Sequence, residues 1–554
     1  MGKNHFWLKC PQCGHRFLYK GLVTACPRCS HAWLDVEYDY DALAPRLRQL
    51  LESRPFTSMW RYRELLPVLH DENIVTMGEG GTPLLHSQHL GMMLGHPYIY
   101  VKDERQGPTG SFKDRQASLA ISLMKENGIT EGVLASTGNV AISYSAYSAL
   151  AGIKLWAFVT STVPADKMRE VALYGTEVIK VTATYDQTKE VAARFAQHKG
   201  LYLDRGIRAF ASRQSMKTIA YEIAEQLGWR APDWYIQAVS GGLGPVGVWQ
   251  GFEELYRMGL IPNLPKLASI QVTGCAPMVH SFRKGLAEVE PVLNPQTLIA
   301  TVATGNPGPA YPFLRRVVLE HGGAFEEVTD EEAFRAMRVM ARMEGLSMEP
   351  AAAMAFAGLF KLIQKGIIRK DEIVVVNCSG HTFPVEKHLL DEEWVHSLEL
   401  PSEMVAEPGP AVLKEEGLLA SLERLDDRVR SVAIIDDEPD AVRLLRRIIQ
   451  AKGGYQIYEA YDGRQGLQLI REKRPDLVLL DLMMPGMDGF AVLTAMKEDP
   501  QIATIPVIVI TAKDLTTQER RWLSGKVESL LQKGSYMDLD ALDALVGELS
   551  TAVG

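Results

Sequence analysis

The sequence has no run approaching the ~20 consecutive apolar residues of a membrane-spanning helix. Its opening, Met1-Gly-Lys-Asn-His-Phe-Trp7, lacks the apolar stretch of a secretory signal. Phe6 stands where a myristoylation signal needs Ser or Thr. These absences exclude a membrane partner and predict a cytoplasmic protein. Positive charge is not in excess: 59 Lys and Arg against 68 Asp and Glu leave a net charge of -9, which argues against nucleic-acid binding. Cysteine is scarce, and four of the six lie within the first 29 residues, which is a metal pattern more than a disulfide framework. Repeats and low-complexity tracts are also missing. What remains is ordinary for globular protein, 46% hydrophobic and 23% charged.

Four segments separate. Residues 1–40 are short, Cys-rich and aromatic. Residues 41–390 alternate strand-like and helix-like runs. Residues 391–429 form an acidic linker with Pro401, Pro408 and Pro410, followed by a helix-like stretch. Residues 430–550 restart the alternation. In the long segment, β-branched runs such as Leu155–Thr160, Glu177–Val181, Trp234–Val239 and Ile373–Asn377 predict strands. Met216–Leu227 carries apolar residues at helical spacing, with Gly228 as the stop. This is an α/β pattern, and ligands belong at the C-terminal ends of its strands.

Cys10-Pro-Gln-Cys13 and Cys26-Pro-Arg-Cys29 are two CxxC knuckles. Each turn sets two thiolates on one side of a tight loop, and two turns supply four ligands for a tetrahedral zinc ion. With four protein ligands the site is structural, and metal would help fold a piece too small for its own core.

Three loops carry the chemistry of the long segment. Pro108-Thr-Gly-Ser-Phe-Lys113-Asp-Arg115 follows a strand and opens a helix, which puts Lys113 in the first helical turn. Taken alone, that lysine is either solvated or poised to enter a cleft. Ser136-Thr-Gly-Asn139 follows a second strand and could hold a carboxylate. Ser240-Gly-Gly-Leu-Gly-Pro-Val-Gly247 follows a third, and it reads as a phosphate cradle at a helix N-terminus. A lysine beside two anion-binding loops fits a phosphorylated cofactor held covalently.

The run from Gly78-Glu-Gly-Gly-Thr-Pro-Leu84 through Lys113-Asp-Arg115, Ser136-Thr-Gly-Asn139, Gly305-Asn-Pro307, Glu349-Pro350 and Ser379-Gly-His381 resembles threonine synthase. That is a two-lobed fold-type II enzyme, related to the tryptophan synthase β-chain, and dependent on pyridoxal 5'-phosphate (PLP). The resemblance covers about residues 5–390, including the amino-terminal ribbon. It implies that Lys113 holds the cofactor and moves protons, that Phe112 flanks the ring and that Asn139 bonds its phenolic oxygen. It implies a substrate-carboxylate loop at Ser136, Thr137 and Gly138, and a cofactor-phosphate loop at Gly241, Gly242, Leu243 and Gly244. Ser379 would meet the pyridine nitrogen, leaving it unprotonated and suited to elimination and replacement. Cys275 and Cys378 read as buried small residues.

The family converts O-phosphohomoserine and water to threonine and phosphate, and commonly grips the substrate phosphate with an Asn-Pro-x-Arg-x-Glu-Gly segment. The matching stretch is Ala209-Phe-Ala-Ser-Arg-Gln-Ser215, in which Ser212 takes the arginine's place and Arg213 comes one position later. One residue along a helix turns a side chain by roughly 100°. Two enzyme readings therefore stand: threonine synthase, or a related lyase (dehydratase- or cysteine synthase-like) acting on another small amino acid.

Residues 430–550 place Asp436 and Asp437 after one predicted strand, Asp481 after a second and Thr511 after a third, with Lys533 after a last apolar run. Carboxylates converging on one sheet edge call for a cation, and Mg²⁺ fits. Ile435-Asp-Asp-Glu-Pro439, Leu480-Asp-Leu-Met-Met-Pro-Gly-Met-Asp-Gly489, Thr511-Ala-Lys513 and Lys533 resemble response-regulator receiver domains, which have a flavodoxin-like doubly wound fold. The resemblance implies Asp481 as phosphoacceptor, Asp436 and Asp437 as magnesium holders, Thr511 and Lys533 as phosphoryl contacts, and a histidine kinase or phosphotransfer protein as partner. Leu530 and Gly534 depart from the usual aromatic and proline.

Leu418, Leu422 and Leu425 in the linker lie at helical spacing. Such a helix either transmits a shift, helps to form a homodimer, or is a solvated spacer. A further reading from another class makes the PLP half a ligand sensor or scaffold for the receiver.

Overall fold

Among the described residues, β-branched residues on every second or every successive position, punctuated by Gly and Pro, build four sheets, and all but the smallest are wholly or mostly parallel. The computed structural model describes residues 6–136, 138–161, 163–381, 396–398, 429–437, 455–482 and 484–510. It also describes positions 442, 446, 449, 522, 523, 526, 527 and 529–531. The chain divides into two compact units that part between Leu400 and Pro401. No helix among the described residues is long and apolar enough to cross a membrane.

In the first unit, Trp7–Lys9 is the centre of a three-stranded antiparallel sheet flanked by Arg16–Leu18 and Asp35–Glu37. A six-stranded sheet runs in the order Gly323–Val328, Lys266–Val272, Trp234–Ala238, Val374–Cys378, Ile99–Asp103 and Leu84–His86, and its last pair is antiparallel. A five-stranded parallel sheet holds, in spatial order, His396–Leu398, Glu177–Val181, Lys154–Thr160, Glu131–Ser136 and Tyr202–Leu203. Two parallel sheets in one unit make the two lobes expected of this fold class.

The helices between strands are buried to a degree that their composition explains. Pro350–Gln364 (Pro-Ala-Ala-Ala-Met-Ala-Phe-Ala-Gly-Leu-Phe-Lys-Leu-Ile-Gln) has Pro at its start and small residues that let it lie against the six-stranded sheet. Phe210–Gln226 begins six residues before the helix read from periodicity, because its first two turns, buried too, carry polar residues. It packs on Leu243–Arg257 at very short range. A Cβ on Gly247 would sit 2.5 Å from the Arg213 carbonyl oxygen, and one on Gly251 would sit 2.6 Å from that of Lys217.

In the second unit the five strands are parallel, in the spatial order Gln456–Ala460, Ser431–Ile435, Leu477–Leu480, Val507–Ile510, Ser529–Leu531. By chain order that is 2-1-3-4-5, the flavodoxin-like winding, whose ligand edge is at the strands' C-terminal ends. The predicted linker helix, Thr137, Thr511, Lys533 and Gly534 lie outside the described residues.

Candidate active site and phosphoacceptor site

Lys113 is the first residue of the helix Lys113–Glu126, and the two residues after it fix that helix in place. Asp114 turns back to accept the Thr109 amide at 2.9 Å, which closes the Pro-Thr-Gly-Ser loop, and burial pushes its carboxyl up to about 6. Arg115 is buried. Its Nε donates to Glu104 at 2.8 Å and its Nη1 to Glu222 at 2.6 Å, while Lys102 Nζ donates to Glu222 at 2.7 Å. Burial alone would raise the Glu222 carboxyl; Arg115 and Lys102 overcome it and hold it at about 2. A fully paired buried network of this kind is stable only with every partner present, so it clamps the lysine's helix to the helix Phe210–Gln226.

The lysine amine points into a cleft of about 610 Å³ and lies 4.3 Å from the centre of the Phe112 ring. Burial pushes this amine down to about 8, against the pull of Glu349 and Asp204. Gly241, Gly242, Leu243, Gly244, Asn139 and Ser379 line the same cleft. Gly242 adopts φ +83°, where side chains other than glycine's are strained, and Gly241 faces open space. The helix Leu243–Arg257 then begins with amides that no preceding turn can use, as an anion site requires. Ser379 is buried, and its carbonyl accepts the Phe112 amide at 3.0 Å, tying the far strand to the lysine loop.

The structure brings Lys113, Phe112, Asn139, the 241–244 loop and Ser379 together. Ser136 sits differently. It is buried and its hydroxyl accepts the amides of Gly138 and Ala141, both at 3.0 Å, so it shapes the loop and does not line the cleft. Gly138, at φ +138°, packs against the Lys167 side chain. His381 shares a hydrogen bond of 3.0 Å with Ser347 and also lies off the cleft wall. Cys275 and Cys378 are buried.

Two residues in this site went unassigned by the sequence reading. Lys167 Nζ donates to Asn139 Oδ1 at 2.6 Å and to Glu349 Oε2 at 3.0 Å, and Asn139 Nδ2 donates to Glu349 Oε1 at 2.7 Å. This triangle orients the Asn139 amide. Glu349 was legible only as part of a Glu-Pro pair at a helix start, and Lys167, on the helix Ala165–Leu173, had no motif to mark it.

The region that departs from the family pattern is resolved in detail. Ser212 is buried beside Gln116, whose amide donates to it at 3.2 Å. Arg213 turns away. It stacks 3.9 Å from the Trp33 ring centre and donates to the carbonyls of Ile207 and Leu34. Burial lowers its guanidinium to about 10. The rotation of one helical position is thus realised, and Arg213 fastens the ribbon instead of facing the cleft.

Residues 75–380 match the family of pyridoxal-phosphate dependent enzymes, and residues 432–545 match the response regulator receiver domain. The chain belongs to the pyridoxal-phosphate dependent enzyme family. It carries a receiver domain after it. A threonine synthase of Methanocaldococcus jannaschii is 36% identical over 67% of this chain and 91% of its own length. The threonine synthase of Methanosarcina acetivorans is 33% identical over 70% and 94%, and that of Halalkalibacterium halodurans 31% over 58% and 90%. The protein is therefore a threonine-synthase-like enzyme fused to a receiver. The cleft fits the family's cofactor: an amine for the aldehyde, an aromatic ring beside it, a hydroxyl at Ser379, and a glycine cradle with free helix-start amides for the phosphate.

The four ribbon thiols also suit a metal. Their sulfurs lie within 4.8 Å of one another, with Cys10–Cys29 at 3.5 Å and Cys13–Cys26 at 3.7 Å. Tetrahedral zinc with Zn–S bonds of ~2.3 Å spaces its sulfurs about 3.8 Å apart, whereas a disulfide needs about 2 Å. The two knuckles repeat each other's backbone: Cys10 N bonds His15 O and Cys26 N bonds His31 O, both at 2.9 Å.

In the receiver, Asp436, Asp437 and Asp481 bring carboxylate oxygens within 4.8 Å of one another at the strand ends. The Asp481 amide donates to the Ile435 carbonyl at 3.0 Å, which fixes the two acidic edges in register. A Cβ on Gly489 would lie 2.2 Å from the Asp481 carbonyl oxygen, so the loop after Asp481 closes only on glycine.

Proposed function

We propose that the chain is a cytoplasmic lyase converting O-phosphohomoserine and water to threonine and phosphate, with turnover set by the phosphoryl state of Asp481. The observation that carries the enzymatic half is a partly neutral Lys113 amine in a cleft walled by Phe112, Ser379 and the 241–244 loop. When bound, the cofactor supplies an electron sink for charge developing next to the substrate's carboxylate. The residues do the rest. Lys113, lowered to about 8, can take and return a proton near neutral pH. Glu349 and Lys167 hold Asn139 in one orientation.

The purified protein given O-phosphohomoserine is expected to release threonine and phosphate in equal amounts. A second reading draws support from Ser212 and from Arg213, which faces the ribbon and not the cleft: the leaving group is smaller than phosphate, and the enzyme is an elimination or replacement lyase on another amino acid. A cofactor absorbance that responds to serine, threonine or O-acetylserine and ignores O-phosphohomoserine would decide for it.

For the receiver, the triad of carboxylates supports Mg²⁺ held by Asp436 and Asp437 with Asp481 as acceptor, the phosphoryl group coming from a histidine kinase or phosphotransfer protein. Zinc in the ribbon belongs to the same reading. With acetyl phosphate and Mg²⁺, the wild type is expected to take up one phosphoryl group and change its kinetics, and Asp481→Asn to do neither. Identical kinetics in proven phosphorylated and unphosphorylated protein would reject regulation.

A further inference from the structure

A second, partly open cavity lies between the ribbon and the catalytic body. Its wall is largely apolar, formed by Val23 and Leu34 from the ribbon, Ala120 and Leu123 from the lysine's helix, and Tyr202 and Phe210 from the chain leading into the helix Phe210–Gln226. Leu22 lines it too and is 52% exposed. The polar groups deeper in the wall satisfy each other: Asn127 donates to the Tyr19 hydroxyl at 2.9 Å.

Two cations border this apolar space. Arg205 and Arg208 are lining residues, both exposed, and neither makes an ion pair with a carboxylate among the described residues. Among the described residues no Asp or Glu lines the cavity. Glu126, whose charge reaches Tyr19, is occupied by the Leu69 and His70 amides at 2.9 Å. An apolar hole with two guanidiniums and no counter-charge selects a ligand with a hydrocarbon body and one anionic end. An amino acid would bring an ammonium with nothing to meet it.

We infer that this cavity binds a small apolar monocarboxylate, its chain against Leu34, Leu123 and Phe210 and its carboxylate on Arg205 and Arg208. The location suits an effector. The helix with Ala120 and Leu123 begins at Lys113, the strand Tyr202–Leu203 runs into Asp204, and Phe210 opens the helix that carries Ser212. A ligand here touches the helix that begins at Lys113, and two elements packed beside it, without entering the catalytic cleft.

The test is calorimetric titration of the full-length, cofactor-loaded protein with octanoate, with octanol as the uncharged control. Octanoate is expected to bind at one saturable site, about tenfold more tightly than octanol, as one charge-assisted contact would give. Arg205→Gln/Arg208→Gln should weaken octanoate at least about tenfold and leave octanol unchanged. Thr24→Trp, at an exposed lining position, should weaken both by filling the space. Both altered sites are exposed, so the melting temperature should hold. Octanoate that fails to saturate the wild type overturns the inference, and so does octanoate binding that survives both variants. Because the readout is binding at a site remote from Lys113, these outcomes are independent of which amino acid the enzyme consumes.

Discussion

Lys113→Ala should leave a folded, colourless protein whose turnover is lower by at least about 10³-fold. The reason is positional. The amine stands at the mouth of a helix clamped by Arg115, Glu104 and Glu222, and no neighbouring amine can take its place: Lys167 is committed to Asn139 and Glu349. The substitution also removes a buried cation, so melting should not suffer. A variant that stays yellow and active would remove Lys113 from the chemistry. The lowered amine has a second consequence in the wild-type apoprotein. Only the neutral amine attacks an aldehyde, so cofactor uptake should climb roughly tenfold per pH unit below about 8 and level off above it. An ordinary lysine would keep climbing towards ~10.5. Uptake followed by absorbance distinguishes the two, and a rise continuing past pH 9 would show that burial does not tune this group.

The second large effect is expected at the ribbon. Cys10→Ser and Cys26→Ser should each abolish bound zinc and destabilise the first unit by roughly 3 kcal/mol or more. Both residues are buried, so the loss cannot be made up by water. The damage should spread, because the ribbon supplies Trp33 and the Leu34 carbonyl to Arg213, and without them a buried guanidinium loses its ring and an acceptor. Metal analysis and thermal unfolding check this together. Full zinc content with an unchanged melting temperature would dismiss the four-thiol site.

Much of this architecture was legible in the sequence because its signals are local. A strand, a glycine turn and a helix start occupy adjacent residues, so Lys113, Asn139 and the 241–244 loop could be placed before any coordinates. Glu177–Val181 matches its β-branched run residue for residue. Contacts made across the fold were not legible. Lys167 reaches Asn139 from 28 residues away, on a helix whose pattern is that of any amphipathic segment. Ser136 looked like a ligand-facing hydroxyl, yet its side chain serves two backbone amides, a choice set by loop conformation. Arg213 was one position out of register with the family, and the structure shows where that phase difference sends it.

Gly247 and Gly251 let the helix Leu243–Arg257 settle onto the carbonyls of Arg213 and Lys217, with only the Cβ groups of Met216 and Ala220 beside them to act as bearings. Neither rod can slip or roll alone. Whatever displaces the end of one that carries Ser212 must carry along the end of the other that forms the cradle at Gly244, so leaving-group choice and cofactor grip would drift jointly when either glycine acquires even a methyl group.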